Sequence, residues 1–464
     1  MAAFERVSTT SITTMDTSSM VDIRFARLPS ETPPMDDFDP RKLRNPETPM
    51  SVSTAYFNLI RSLSGAGFLT LPLAYSQTGY IFGPVLAVGF GLLLIHTHLT
   101  LLWCLNEVSR QLKIPYMSYI YGFRIAMLRG PIICQWIGER GQMIILVLMV
   151  LSQLAICTVC VILCSDSIRD MMDWPTSAPA TGILLIPYLL MEIAMKNIEI
   201  IGYISMAGNL LNLIGLGGVF YLMYTARYDI VLVPWEFSPT GIMFSSGIML
   251  FNSSALAVIL SIDRSLKNPN LLLGKFGIIS ISLTTTTLGS IFLGMSGYIA
   301  YGKMDENVLR VLPVEEVLTL VINGVYLFTL TLTYPISMYP AVRILLFAIA
   351  NRVTENPPTE RAVKVLEWVI RPLFVCTSFL ICYFIPFQAP FVSFAGNMCT
   401  SLLTIVFPAA MELSLLYPHN YGFLYFHFFK NIAIIFFGLS IWLFGIYLCG
   451  HLIYVKVLST RSVN

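Results

Sequence analysis

Charged residues are scarce in this chain, and their scarcity limits the class of protein that it can be. Of 464 residues, 12% are Asp, Glu, Lys or Arg and 56% are hydrophobic, whereas average protein composition is about 25% charged. The mean hydropathy is +0.74. This composition excludes a soluble globular protein and predicts that most of the chain lies in a lipid bilayer.

The carboxylates that are present avoid the centres of the apolar segments. All 26 Asp and Glu residues fall in the first 50 residues, in predicted loops, or within a turn or two of a predicted helix end, the deepest being Glu192, Glu316 and Glu412. A charge at the centre of a bilayer costs roughly 2.5–3.5 kcal/mol or more. We therefore expect any proton carrier inside the membrane to be another type of residue.

Motifs for catalysis and for nucleotide binding are also missing. The chain has no Walker loop, no Gly-x-Ser-x-Gly, no His-Glu-x-x-His and no paired membrane aspartates. This excludes an ATP-driven pump and predicts that the protein is not an enzyme and needs no cofactor. A basic aromatic patch is missing too, so no nucleic-acid partner is predicted.

The cysteines form no predicted disulfide framework or metal site. Eight of the nine lie within or at the edge of apolar segments, where thiols behave as small hydrophobic groups. Cys157, Cys160 and Cys164 have helical spacing, but no His or carboxylate lies nearby at ligand spacing. We therefore predict no bound metal.

What the chain does contain is a series of long apolar runs. Examples are Met143–Cys164, Ile278–Ala300 and Ile432–Leu452, each close to the roughly 20 residues that cross a hydrocarbon core. The runs predict an all-α membrane protein with eleven transmembrane helices. Their ranges are about 55–79, 81–105, 142–165, 181–195, 200–225, 241–262, 276–300, 315–341, 366–385, 391–416 and 431–455.

The ends of the chain differ from this apolar domain, which is predicted over 51–455. Residues 1–50 carry six Arg or Lys, eight Asp or Glu and six Pro, a composition that predicts a disordered tail. Placing this tail in the cytosol puts 22 of the 28 Arg and Lys on the inner side. Residues 456–464 are then a short tail on the non-cytosolic side, and the plasma membrane and an endolysosomal membrane are both compatible.

The first candidate site is a run of small residues inside the first span. Ser64, Gly65, Ala66 and Gly67 lie there with Pro72 shortly after, and each glycine lowers helix stability by roughly 1 kcal/mol. We expect an unwound segment whose N–H groups bind a carboxylate. The alternative is a small-residue packing seam between helices.

The second candidate site lies in the sixth span, at Asn252, Ser253 and Ser254. It follows the first by about 190 residues, the offset expected if helices 1–5 and 6–10 are two inverted repeats. Short polar side chains compete for backbone hydrogen bonds and favour a second break. A polar face packed against a neighbouring helix is the alternative.

A third candidate is His96, which lies inside the second apolar run. An imidazole titrates near neutrality and is costly in lipid, so His96 is a candidate proton carrier, with a structural histidine as the alternative. His98 points to another face and is less attractive. Gln153, Asn209, Thr329 and Thr333 form a polar trail on other helices, expected either to line a path or to bond helices together.

At this point the motifs resemble the amino acid/auxin permease family, and in particular the animal proton-coupled amino acid transporters. Asn58–Ala74 is similar to the first-helix motif, and Gly91–Leu112 and Ser152–Val161 resemble the second and third helices. The later similarities are Ser296–Gly302, Thr333–Ser337 and Pro390–Gly396 followed by Phe407-Pro408.

The resemblance implies a LeuT-like fold, a 5+5 inverted repeat with helices 1 and 6 broken, plus one extra helix. It also implies that substrate binds between the broken helices and that His96 carries the proton. The chain departs from the family at Ser254–Ala257, where Glu-Gly-Ile-Gly or a similar sequence is usual, and it lacks cysteines for the family's external disulfide.

These expectations favour a secondary active transporter that carries small neutral amino acids by proton-coupled symport. Its partners are the amino acid, protons and the lipid bilayer, and the oligomeric state stays open. The alternative is an amino-acid sensor with the same fold that does not transport and signals through its N-terminal tail. The missing helix-6 carboxylate and glycines keep that alternative open.

Overall fold

The described part of the chain is helical almost throughout. A computed structural model describes residues 39–41, 50–194, 198–226, 232–274, 276–312, 317–353, 360–418 and 421–463. In these ranges no sheet forms, and an isolated bridge joins Met50 to Leu266. The predicted tail 1–50 lies outside the described residues except for 39–41 and Met50.

The helices are defined here in chain order. They are α1 Val52–Leu63, α2 Leu71–Ser76, α3 Phe82–Leu112, α4 Tyr119–Leu128, α5 Ile132–Met171, α6 Ala178–Ala194, α7 Ile198–Thr225, α8 Pro239–Asn252, α9 Leu256–Ser265, α10 Ile278–Tyr301, α11 Val308–Val311, α12 Val317–Val353, α13 Glu360–Phe384, α14 Gln388–Ala395, α15 Phe407–Leu415 and α16 Phe426–Val463. Short 3₁₀ helices cover Ala66–Thr70 and Pro269–Leu272, and a π-helical segment, Gly396–Val406, joins α14 to α15.

Many of these helices are long and apolar enough to cross a bilayer. In the described ranges eight segments meet that condition: Phe82–Leu112, Ile132–Met171, Pro239–Ser265, Ile278–Tyr301, Val317–Leu346, Val363–Phe384, Gln388–Leu415 and Phe426–Ser459. Ala178–Ile193 and Leu210–Thr225 are shorter apolar helices. Large apolar side chains are exposed along them, among them Leu92, Ile133, Phe292, Phe436 and Tyr447. The chain is an all-α membrane protein.

Several helices extend beyond the apolar runs that predicted them. α5 covers 132–171 where the sequence predicted 142–165, and α16 continues to Val463 through most of the predicted C-terminal tail. The predicted loop 106–141 contains α4, whose Tyr119 donates a hydrogen bond from its hydroxyl to the carbonyl of Leu403 (2.7 Å). An apolar run covers only the part of a helix that lies in the hydrocarbon core, so it underestimates the length of the whole helix.

Two apolar clusters form the interior, and they meet where helices are interrupted. Leu63, at the end of α1, and Ala255, before α9, belong to one cluster. Ala66 and Phe251, on the other sides of the same interruptions, belong to the second. The chain therefore passes from one cluster to the other at both interruptions, and the candidate site lies at this boundary.

Candidate functional site

The first interruption separates α1 from the 3₁₀ helix Ala66–Thr70. Ser64 Oγ donates a hydrogen bond to the carbonyl four residues earlier (2.9 Å), and the backbone of Gly65 is extended (φ −76°, ψ −161°). In the described part of the chain, no backbone carbonyl accepts a hydrogen bond from the N–H group of Gly65, which lies between the two helices. Ala66 and Gly67 follow in the first turn of the 3₁₀ helix, where N–H groups have no partner within their own helix.

Polar side chains from two other helices stabilise this interruption. Asn212 on α7 donates from Nδ2 to the carbonyl of Ser64 (3.2 Å). Gln388, at the start of α14, donates from Nε2 to the carbonyl of Ala66 (3.4 Å) and accepts from Nδ2 of the buried Asn307. The carbonyls on both sides of the extended residue are therefore bonded, which fixes the backbone path. Neither Gln388 nor Asn307 was predicted from the sequence.

The second interruption separates α8 from α9 and needs no glycine. The backbone at Ser253 (φ −91°, ψ 8°) and at Ala255 (φ −100°, ψ 19°) lies in the bridge region, which residues other than glycine also adopt. Asn252 Nδ2 donates to the carbonyl of Ile248 (2.9 Å). In the described ranges, the carbonyl of Ser254, which lies between the two helices, receives no backbone hydrogen bond, so an acceptor is available here.

The two interruptions are in contact at Gly67. A β-carbon at position 67 would lie 2.7 Å from Asn252 Oδ1 and 2.7 Å from Phe251 Cδ1, which is closer than real β-carbons approach other atoms. Residue 67 must therefore lack a side chain for α8 to lie where it does. The structure thus brings together the two segments that the sequence singled out separately.

A small cavity adjoins the two interruptions. Its lining residues are Phe68, Leu71, Ala87, Phe90, Met249, Asn252, Ser253, Thr286, Thr287 and Ser290, all of them uncharged. The volume is about 20 Å³, and a site needs roughly 10–15 Å³ for one water molecule. An amino acid does not fit in this volume, so binding one requires the surrounding helices or side chains to move.

One wall of the cavity was not predicted. Thr286 and Thr287 on α10 donate their hydroxyl protons to the carbonyls of Ser282 and Leu283, both at 2.8 Å. Their hydroxyl oxygens keep lone pairs that can accept from a ligand. The signal in the sequence was the run of four threonines at 284–287 inside an apolar span.

The two histidines of α3 lie on opposite faces of the helix. His96 is exposed, whereas His98 is 1% exposed and its Nδ1 lies 2.7 Å from the carbonyl of Leu94. His98 Nε2 is buried without a partner among the described residues. The physical reason is that His98 shares the buried face of Leu94 and Leu101, while His96 shares the face of the exposed Leu92.

His96 is also separate from the cavity, whose lining does not include it. The charged and titratable groups that act on it are Lys430, Glu412 and His427. Glu412 accepts hydrogen bonds from Lys430 Nζ (2.8 Å to Oε2) and contacts His427 Nδ1 (3.1 Å). The charged groups that act on His96 therefore belong to this polar cluster of α15 and α16.

The predicted polar trail is only partly described. Gln153 and Thr329 are buried, and Thr333 Oγ1 donates to the carbonyl of Thr329 (2.8 Å). The hydroxyl of Thr329 has no partner among the described residues. None of these three residues lines the cavity, and the side chain of Asn209 lies outside the described part of the structure.

The cysteines of α5 contact other helices. Cys157 Sγ lies 3.8 Å from the carbonyl of Tyr334, and Cys164 Sγ accepts a hydrogen bond from the hydroxyl of Tyr188 (3.3 Å). All nine cysteines are free thiols. Over the ranges that the structure describes, no three His, Cys, Asp or Glu side chains cluster so that they could hold a metal ion.

Fold and site together define a class: a multi-pass α-helical membrane protein in which two interrupted helices meet and leave backbone polar groups available in the interior. A family model described as transmembrane amino acid transporter protein matches residues 48–449. The chain belongs to this family, which is the amino acid/auxin permease family, and the predicted resemblance is confirmed.

Two relatives show how far the similarity extends. The chain is 23% identical over 417 residues to the proton-coupled amino acid transporter-like protein pathetic of Drosophila melanogaster, a match covering 88% of this chain and 86% of that protein. It is 24% identical over 405 residues to vacuolar amino acid transporter 3 of Schizosaccharomyces pombe, covering 83% of this chain and 56% of that protein. The chain therefore spans little more than half of the yeast protein.

Proposed function

We propose that this protein is a secondary active transporter that carries small neutral amino acids together with protons across a membrane. The observation that carries the proposal is the contact at Gly67 between the two interrupted helices. Donors are available on one side of that contact and acceptors on the other. Family membership supports amino acids as the solute.

The available groups match the two charges of an amino acid. In the proposal, the substrate carboxylate accepts hydrogen bonds from the N–H groups of Gly65, Ala66 and Gly67, where the start of a helix also favours a negative charge. The substrate ammonium donates to the carbonyls of Asn252 and Ser254 and to the hydroxyl of Ser253. Ser64 belongs to the site by closing the last turn of α1 beside these donors.

The preference for small neutral substrates rests on the cavity. Its lining contains no charged side chain, so a charged substrate side chain would be desolvated without a counter-charge. Phe68, Phe90 and Met249 line the cavity together with Asn252, and the remaining volume is about 20 Å³. A large substrate side chain would require larger movements than a methyl group or a hydrogen atom.

The proton part of the proposal rests on two supports. The Drosophila relative carries proton-coupled in its name, and the family resemblance implies His96 as the residue that binds the proton. His96 is exposed on the face of α3 that also carries Leu92. Gln153, Asn209, Thr329 and Thr333 remain proposed as residues along a polar path.

We also propose that eleven segments cross the bilayer in a LeuT-like arrangement. They are the eight long apolar helices, the two shorter ones and the interrupted segment from α1 to α2. The interruptions then fall in the first and sixth segments, which supports two inverted repeats of five and one additional helix. Positive charges support a cytosolic N-terminus, and the vacuolar relative supports an endolysosomal over a plasma membrane.

The test is uptake into proteoliposomes that contain the purified protein. Radiolabelled glycine, L-alanine or L-proline is offered with an inward proton gradient, at equal pH on both sides, and after addition of a protonophore. We expect accumulation only with the gradient, and no accumulation of lysine or glutamate. Equal uptake with and without the proton gradient would reject proton coupling. Thermal stabilisation by these amino acids without any flux would reject the transporter hypothesis in favour of the amino-acid sensor.

A further inference from the structure

A buried arginine joins carboxylates of two helices away from the proposed substrate site. Arg371 on α13 is 3% exposed, and its Nη1 donates to Glu192 Oε2 on α6 (3.0 Å). Its Nε and Nη2 donate to Glu367 Oε1 at 2.9 and 2.7 Å. Glu192 is 1% exposed, so one of the three deepest carboxylates singled out in the sequence lies in the protein interior.

The charges of these three side chains do not balance. One guanidinium faces two carboxylates, so the group carries one net negative charge while both acids are ionised. The second oxygen of Glu192, Oε1, is buried and has no hydrogen-bond partner among the described residues. A buried carboxylate oxygen without a donor is costly, and a proton placed on Glu192 would remove the net charge.

In the ranges that the structure describes, the elements packed around Glu192 supply no second positive charge. α6 packs against α13, α5 and α12. α5 presents Cys157, which bonds the carbonyl of Tyr334, and α12 presents Tyr334, whose hydroxyl bonds Ser378 on α13 (2.7 Å). Thiols and phenols are neutral at ordinary pH. Arg371 is thus the cation that faces Glu192 from these elements, and it is shared with Glu367.

Both helices of this ion pair are weakened beside it. Pro372 follows Arg371 directly inside α13, and Pro187 lies five residues before Glu192 inside α6. A proline inside a helix removes one backbone hydrogen bond and favours a bend. The ion pair therefore joins two helices at places where each can change its direction.

We propose that Glu192 is a proton-binding site that controls how firmly α6 is held to α13. The ionised carboxylate holds the two helices together through Arg371. A proton from water adds to the free oxygen Oε1, leaves the cluster neutral and weakens the contact with Arg371. Glu367, whose side chain is 22% exposed, is the member of the cluster that lies nearest the protein surface. Acid pH then speeds the movement of α6 during transport.

The first experiment measures exchange of labelled for unlabelled L-alanine in proteoliposomes at equal pH on both sides. For the unaltered protein we expect exchange to rise with acidity, by at most about tenfold per pH unit for one titrating group. Glu192→Gln leaves Arg371 with one carboxylate, so the cluster is neutral and should fold. Its exchange should lose the pH dependence that Glu192 causes and keep only that of the proton proposed to bind at His96, so that its rate at neutral pH is close to the acid rate of the unaltered protein.

Glu367→Gln is the matched control because it removes the same charge from the same arginine. It leaves Glu192 as the only carboxylate on Arg371, which favours the ionised form. The rise of exchange should therefore move to lower pH instead of disappearing. Equal pH dependence in Glu192→Gln and the unaltered protein would overturn the proposal.

The second experiment does not depend on transport, on which the first one rests. Infrared difference spectra between neutral and acid buffer should show a carboxylic acid C=O band that Glu192→Gln lacks and Glu367→Gln retains, shifted to lower pH. If the unaltered protein and both variants show no exchange but keep this band pattern, the transport function is rejected and the proton site is retained. The same band in Glu192→Gln would reject the proton site.

Discussion

Gly67 and Asn252 lie so close that no side chain fits between the two interrupted helices: a β-carbon at position 67 would be 2.7 Å from Asn252 Oδ1. The two residues are far apart in the sequence, yet they bring the available donors of one helix next to the available acceptors of the other. A movement of either interrupted helix therefore displaces the other. This close contact makes residue 67 the most sensitive position of the proposed site.

Gly67→Ala should abolish most uptake, whereas Gly65→Ala should not. The added methyl group would collide with Asn252 and Phe251 at position 67, but at position 65 its nearest neighbour is a carbonyl oxygen at 3.5 Å. Overpacking of this kind costs roughly 1–3 kcal/mol, so uptake should fall by about tenfold or more. Gly65 keeps its N–H and a backbone conformation that alanine can adopt. Initial uptake rates of the two variants decide this, and equal rates would contradict it.

Apolar periodicity could locate the helices, but it could not show which side chains face the protein interior and which face outward. The run 91–95 is apolar on every side, so nothing in it indicates that His98 lies in the interior and His96 on the surface. The same limit applies to Arg371, which is 179 residues from Glu192. Such pairs are decided by tertiary packing, which a single sequence does not contain.

The positions of the two helix interruptions could be predicted better than these pairs, and the reason differs between the first and the second interruption. Gly65 and Gly67 weaken the first helix by composition, and the structure interrupts it there. The second break lacks glycine and still forms, because Ser253 and Ala255 adopt a backbone conformation open to any residue. Gln388 and Asn307 were missed because a single polar residue at a helix end has no distinctive sequence pattern.

Thr287→Val should weaken substrate binding without affecting the fold. Valine has nearly the shape of threonine but offers no hydroxyl to the cavity, and a hydrogen bond is worth about 1 kcal/mol. KM for L-alanine should rise roughly fivefold. Thr285→Val on the same helix is the control, since Thr285 is exposed and lies outside the cavity lining. An equal change of KM in both variants would show that the effect does not come from the cavity.

His96→Asn and His98→Asn should separate proton coupling from stability. His96 is exposed, so its replacement should change the free energy of unfolding by less than about 0.5 kcal/mol while lowering gradient-driven accumulation. His98 is buried and bonds the carbonyl of Leu94, so its replacement should destabilise the protein by about 1–3 kcal/mol. Thermal unfolding in detergent and uptake at two gradients measure both effects. Full gradient dependence in His96→Asn would remove His96 from the proton step.

Gly396→Ala should destabilise the protein more than alanine substitution of a glycine that has free space for a methyl group. In the structure, Gly396 lies directly against the carbonyl of Gly247, so α8 and the π-helical segment touch through their backbones. The extra methyl group should cost roughly 1–3 kcal/mol. Gly324→Ala on α12, where no atom lies within 4 Å of the new methyl group, should be neutral or slightly stabilising. The melting temperatures of the two variants provide the comparison, and similar values would argue against a tight backbone contact.

The cavity at the centre has room for about one water molecule. One water molecule is too few to form a continuous file of water through this cavity, so ions and protons gain no water path there in this conformation. A path through this site opens only when the surrounding helices move.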